Sequence, residues 1–305
     1  MKILIATVKP FAPAAIEKIK SIVDDKGYKF ALLEKYTDKS QLLEAVADAD
    51  ALIIRSDKIT NEVMNAAKNL KIVVRAGAGY DNVDLDSARA KGIVVMNTPG
   101  QNSNAVAELA LGMMVFLARN KFNGTAGTEL KDKKLGIHAY GNVGKNVSRI
   151  AKGFDMDVYA YDPFVANKDI EADGVQPIDT VEELYSTCDY ISLHIPANKH
   201  TIKSIDYNLL KNMPEGGTLV NTARKEVVDE EGLFKLMEER DDIKYISDIA
   251  PDIREQFEDR FGDRVFFTPK KMGAQTAEAN INAGVAAAKQ IIRFFEDGDV
   301  TFKVN

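Results

Sequence analysis

The chain has 305 residues, room for about two domains, and its 45% hydrophobic and 28% charged residues are ordinary for a globular protein. Lys and Arg total 40 against 46 Asp and Glu, a net charge of −6 with no basic block, which argues against a nucleic-acid partner. The single cysteine, Cys188, excludes an intrachain disulfide and makes the reducing cytoplasm the default compartment; no apolar run approaches the ~18 residues of a membrane span.

From the N-terminus, short apolar strands alternate with amphipathic helices. KILIATV reads as a strand, PAAIEKIKSIVDD as a helix, ALIIRS as a strand and NEVMNAAKN as a helix. KIVVRAG, DLDSARAKG and IVVMNTP continue as strand, helix and strand. Val/Ile-rich runs in this rhythm predict a parallel sheet covered on both faces. The next segment, AVAELALGMMVFLARN, predicts a helix over about 103–120, too apolar for an open surface, which must pack between layers or against a partner. After NGTAGTELKDKK a second alternation begins: LGIHAYG, DVYAYDP, DYISLHIP, GTLVNTAR, KYISDIA and VFFTP predict six or seven strands of a doubly wound sheet over about 121–270. The last helix, AEANINAGVAAAKQIIRFFEDG, presents a small face suited to close packing between two domains. It would return VTFKVN to the first domain.

LGIHAYGNVGKNVSRI has the order strand, tight turn, helix. Against the pattern G-x-G-x-x-G, Gly141 and Gly144 hold the second and third places, and Ala139 stands at the first. The second glycine lets backbone approach a pyrophosphate, and the third lets helix and strand pack closely. The helix opening at Asn142, Val143 and Gly144 offers free N–H groups and a positive dipole end. About twenty residues on, the next strand ends in Asp162, whose carboxylate suits the ribose hydroxyls of an adenosine. No arginine follows to welcome a 2′-phosphate, so NAD is expected over NADP.

In an α/β sheet, ligands gather at the carboxyl ends of strands. There the sequence places His194, which could touch the cofactor or merely satisfy a polar site. It also places Asn221-Thr222-Ala223-Arg224, whose guanidinium can grip a carboxylate through two hydrogen bonds unless it serves a structural ion pair with Asp229 or Glu230. Cys188, beside an apolar strand and with no motif around it, reads as a small core residue.

VVRAGAGYDNVDLDSARAKGIVVMNTPGQNSNAVAEL, the GNVG loop, SLHIP, NTARKEVVDEEGL and TPKKMGAQTAEA occur in the order found in D-isomer-specific 2-hydroxyacid dehydrogenases. The chain resembles that family along nearly its whole length. IIRSDKIT and VVMNTPGQNSNAVAEL most resemble the members that act on D-3-phosphoglycerate. The resemblance implies an α/β protein of two doubly wound parallel-sheet domains with a cleft between them. A flavodoxin-like substrate domain would comprise 1–100 plus 283–305, and a Rossmann NAD-binding domain 101–282. It implies NAD as cofactor, a small anionic 2-hydroxy or 2-keto acid as substrate, and a homodimer. No extra regulatory domain is expected, and a shortened stretch after LARN would trim the dimer-side loop. Arg224 would hold the substrate carboxylate and carbonyl. Backbone N–H groups of Ala78 and Gly79 would share the carboxylate, Asn102 would line the cleft, and Arg55, Ser56 and Arg75 would suit a phosphate. Thr222, Ala223 and Asp248 would lie near the nicotinamide.

Two departures stand out. Most family members carry a histidine after the Thr-Pro pair, where this chain has Lys270 and then Lys271. The glutamate that usually orients that histidine is replaced by Ile253. A lysine has one nitrogen and no tautomer, so an orienting acid becomes dispensable, and burial beside Arg224 would lower its pKa into a useful range. Position after the proline favours Lys270; counting back from Met272-Gly273-Ala274 favours Lys271. The expected reaction is oxidation of D-3-phosphoglycerate. The alternatives are a glyoxylate or hydroxypyruvate reductase, or an NAD-sensing binding protein without catalysis.

Overall fold

The computed structural model describes residues 1–305 and divides them into two compact units, Met1–Asn102 with Gln275–Asn305, and Ser103–Ala274. In the first unit β1 (Lys2–Thr7), α1 (Pro13–Asp24), β2 (Lys29–Glu34), α2 (Lys39–Ala45), β3 (Ala51–Ile54), α3 (Asn61–Ala66), β4 (Ile72–Arg75), α4 (Leu85–Ala90) and β5 (Val94–Asn97) follow one another. The five strands are parallel in the order β2-β1-β3-β4-β5. Successive side chains of a strand point to opposite faces, so Ile3 and Ile5 enter one core while Leu4 and Ala6 enter another. β2 and α2 carry no clear signal in the sequence. β2 is an edge strand that buries none of its residues fully, with Leu32 43% exposed, so KFALLE lacks the apolar run that marks its neighbours.

The second unit contains α5 (Ser103–Ala118), β6 (Lys134–His138), α6 (Asn142–Lys152), β7 (Asp157–Tyr161), α7 (Asn167–Ala172), β8 (Gln176–Pro177), α8 (Val181–Thr187) and β9 (Tyr190–Leu193). It continues with α9 (Tyr207–Leu210), β10 (Thr218–Asn221), α10 (Glu230–Glu239), β11 (Lys244–Ser247), α11 (Arg254–Phe261) and β12 (Val265–Phe267). Seven parallel strands run in the order β12-β11-β10-β9-β6-β7-β8. β6 pairs with β7 on one side and β9 on the other, so the strand order reverses there. That switch point is where an open sheet of this type leaves a crevice for a ligand. The apolar α5 packs against α6 and the β10 and β11 side of this sheet, which accounts for its composition without a partner chain. Cys188 is fully buried beneath Gly136, a core residue as expected, and burial pushes its thiol up to about 12.

The last helix, α12 (Ala277–Asp297), belongs to the first unit. Its small face was expected between domains, but it lies against α1, β3 and β4. A Cβ on Gly284 would sit 2.8 Å from Ile19 Cδ1 and 3.0 Å from Phe11 Cε1, so the small residues permit close helix–helix packing within the unit. Beyond α12 the chain end runs along β5: Val304 N–H donates to Val95 O at 2.9 Å and Asn305 Nδ2 to Ile93 O at 2.8 Å. These bonds cover an otherwise open sheet edge.

Candidate active site

The glycine loop leaves β6 at the switch point. Ala139, at the place of the first glycine, takes φ +81°, a left-handed conformation that costs an L-residue but not glycine. Its N–H is fixed to Tyr161 O at 2.9 Å, which ties the turn to β7. Gly144 is required for close packing, since a Cβ there would meet Ala139 O at 2.5 Å and Ile137 Cγ2 at 2.9 Å. Gly141 is different: no atom lies within 4 Å of where its Cβ would be. That open cradle faces the first turn of α6, whose leading N–H groups have no intrahelical acceptor. Asp162 is held ready by two backbone donors, Tyr140 N–H to Oδ2 and Phe164 N–H to Oδ1, both at 2.8 Å. Each oxygen keeps a lone pair for a further hydroxyl. Open glycine, helix start and oriented carboxylate fit a dinucleotide.

At the end of β9, His194 is sandwiched by hydroxyls: Ser192 Oγ lies 2.9 Å from Nε2 and Thr222 Oγ1 3.5 Å from Nδ1. Desolvation, reinforced by His138, pushes it down to about 3, so it stays a neutral ring. His138, buried against Tyr185, falls to about 4 for the same main reason.

The turn after β10 is clamped by Asn221, which is fully buried. Its Oδ1 accepts from Ala223 N–H and its Nδ2 donates to Arg224 O, both at 2.9 Å. Arg224 is exposed and forms no salt bridge. The acids that might have paired with it are engaged elsewhere: Asp229 with Lys203, and Glu230 with the N–H groups of Asp252 and Ile253. Its Nη1 donates to Ala223 O at 2.8 Å, and Lys271 Nζ donates to the same oxygen at 3.2 Å. Two cationic side chains thus converge on one carbonyl. Lys271 keeps a solvent-facing surface, yet desolvation around its ammonium, then the charge of Arg224, bring it down to about 8. Lys270 is exposed, with its carbonyl oxygen 3.0 Å from Thr268 Oγ1. The structure therefore brings Lys271, and not Lys270, to Arg224.

Asp248 organises the segment that carries Lys271. It is fully buried, and its carboxylate accepts from Thr268 Oγ1 at 3.0 Å, Met272 N–H at 2.9 Å and Gly273 N–H at 2.8 Å. Ile253, at the place of the usual glutamate, packs on the hydrophobic core. The nearby Asp252 pairs with Lys225.

In the first unit, Arg55 is half-buried. Its guanidinium donates to Lys9 O at 3.1 Å, Pro10 O at 2.7 Å and Asn280 Oδ1 at 2.5 Å, and lies over the Phe11 ring. Burial lowers its pKa from the usual arginine value. Arg75 donates to Arg55 O at 3.1 Å and covers Gly77, where a Cβ would fall 1.4 Å from Nη1. Ser56 is exposed and Asn102 half-buried. The turn at 77–79 is anchored by Thr98 N–H to Gly77 O and Asn97 Nδ2 to Ala78 O, while the N–H groups of Ala78 and Gly79 meet no protein acceptor.

Comparison with known proteins identifies the family. The family model for the D-isomer specific 2-hydroxyacid dehydrogenase catalytic domain matches residues 3–305. The chain belongs to the D-isomer specific 2-hydroxyacid dehydrogenases. It is 36% identical to a D-3-phosphoglycerate dehydrogenase of Methanocaldococcus jannaschii, over 83% of this chain and 51% of that protein. A hydroxypyruvate reductase of Thermotoga maritima is 35% identical, over 85% of this chain and 89% of that one. Among solved structures, NAD+-bound 3-phosphoglycerate dehydrogenase of Entamoeba histolytica superposes with a TM-score of 0.86 and 49% identity, covering 100% of this chain and 98% of that one. The chain spans about half the length of the curated phosphoglycerate dehydrogenases it matches. No helix of the chain is long and apolar enough to cross a membrane.

Asn221 and Thr268, to which the sequence assigns no role, shape the two segments that bear Arg224 and Lys271. Asn221 had a signal, a polar residue closing an apolar strand. Thr268 acts by donating its hydroxyl to Asp248, twenty residues away, and nothing local marks it.

Proposed function

We propose that this dehydrogenase interconverts D-3-phosphoglycerate and 3-phosphohydroxypyruvate with NAD, the entry to serine synthesis, with Lys271 as its acid–base group. The observation that carries the reading is the convergence of Lys271 Nζ and Arg224 Nη1 on Ala223 O. Gly141, Asn142, Val143, Gly144 and Asp162 would hold the dinucleotide, with His194, Thr222, Ala223 and Asp248 toward its nicotinamide end. NAD supplies the hydride acceptor, and its reduced form the donor. The guanidinium fork of Arg224 takes the substrate carboxylate and stabilises negative charge developing on the C2 oxygen. In oxidation the neutral amine of Lys271 receives the C2 hydroxyl proton; in reduction its ammonium returns a proton to the carbonyl oxygen. Arg55, Ser56, Arg75, Ala78, Gly79 and Asn102 remain the substrate-binding candidates of the first unit, and the working form is a homodimer.

One observation favours hydroxypyruvate as the substrate instead. Arg55 already gives its guanidinium to two carbonyls and Asn280, so a phosphate would have to displace or share those acceptors. The test is NADH oxidation with 3-phosphohydroxypyruvate beside hydroxypyruvate, in the wild type, Lys271→Ala and Lys270→Ala. The expected result is preference for the phosphorylated acid, a loss of about 10²- to 10⁴-fold in kcat for Lys271→Ala, and little change for Lys270→Ala. Full turnover in Lys271→Ala would overturn the acid–base assignment. Preference for hydroxypyruvate would move the substrate to the second reading.

A further inference from the structure

A lysine in this position does more than replace one proton carrier by another. An imidazole exchanges protons with a ketone oxygen but forms no stable imine with the carbonyl carbon. A primary amine can do both. Lys271 Nζ and Arg224 Nη1 share the Ala223 oxygen at 3.2 and 2.8 Å, so a carboxylate gripped by Arg224 brings the adjacent C2 carbonyl to the lysine nitrogen. The lysine keeps a solvent-facing surface. Its backbone is held on one side by Thr268 and on the other by Met272 and Gly273, all bound to the buried Asp248 carboxylate. Desolvation beside a second cation is the environment that turns a lysine into an amine nucleophile.

We propose that Lys271 is also a covalent site for 2-keto acids, condensing through Nζ with the C2 carbonyl of an acid held by Arg224 to form a Schiff base. The Nζ lone pair attacks C2 and the carbonyl electrons pass to oxygen. One amine proton moves to that oxygen, giving a carbinolamine. Water then leaves as the carbon–nitrogen double bond forms. No electrons are exchanged with any other species, and the step reverses by hydration. The adduct sequesters the acid–base nitrogen, so turnover slows with time at high keto-acid concentration. This inference rests on the reading that Arg224 and Lys271 face a 2-keto acid.

The experiment incubates the full chain with 3-phosphohydroxypyruvate, and separately with hydroxypyruvate, in the presence of sodium cyanoborohydride, which reduces an iminium to a stable secondary amine. Intact mass and peptide mapping then locate the label, while NADH turnover is assayed in parallel. The expected result is one label per chain at Lys271, about tenfold or more above Lys270 in the same peptide. It should be absent in Lys271→Arg, reduced in Arg224→Gln, and absent with hydroxyacetone, which offers a carbonyl but no carboxylate. Turnover without a label at Lys271, or equal labelling of Lys270 and Lys271, overturns the inference and leaves the dehydrogenase reading standing. A label at Lys271 without turnover upholds the covalent site and removes that reading. Neither label nor turnover overturns both.

Discussion

If Lys271 is the acid–base group, the reaction should carry a pH signature unlike that of a histidine enzyme. Desolvation first, and Arg224 second, bring it to about 8. Oxidation needs the neutral amine, so its kcat should rise with pH and level off above about 8; reduction needs the ammonium and should fall over the same range. Initial rates in both directions between neutral and alkaline pH check this, and a break near the ordinary histidine value of about 6.5 would count against Lys271. Arg224→Gln removes the neighbouring charge that lowers Lys271, so the break should move to higher pH while KM for the keto acid rises. Ala139 offers a second test. It holds φ +81°, where a glycine is free of the Cβ penalty. Ala139→Gly should stabilise the chain by up to about 1 kcal/mol, the relief being partly offset by the greater entropy of glycine in the unfolded chain. Thermal unfolding would show it as a small rise in Tm.

At the level of elements, the glycine loop divides its work between its ends. Gly144→Ala must push α6 away from β6, because its Cβ would meet backbone oxygen at 2.5 Å. Backbone cannot swing aside as a flexible side chain can, so a loss of about 1–3 kcal/mol is expected with weakened NADH binding. Gly141→Ala meets no atom and should leave Tm unchanged while still weakening NADH binding, because the added methyl fills the cradle rather than the core. Denaturation and cofactor titration of the two variants separate these effects. The loop and its acid were legible because strand, glycines, helix and Asp162 lie close together in the sequence. β2 was not, because an edge strand with half-exposed residues carries no strong apolar pattern. The alanine-rich face of α12 announced close packing without naming the partner, which proved to be α1.

For the whole molecule, each unit carries hydrophobic clusters on both faces of its own parallel sheet, so the alternation of short apolar runs was enough to predict two doubly wound sheets. The paired lysines were legible as a departure from the family's pattern. They raised the right question, but which of them reaches Arg224 depends on Asp248, Thr268 and Asn221, held by contacts that span about twenty residues or turn on backbone geometry. If NAD is held by the second unit alone, ligand at 100 times its Kd should stabilise that unit by about 2.7 kcal/mol. Hydrogen exchange should then show added protection along β6, α6 and β7 with little change along β1 and β3.

The cluster around Asp248 also bears on how such an enzyme changes its chemistry. One buried anion receives a donor from before the paired lysines and two donors from after them, so the two ends of the segment are pinned to a common post. If Lys271 is the proton carrier, such a segment is an exchangeable cassette: the residue it bears can be replaced while both of its ends stay fixed to Asp248.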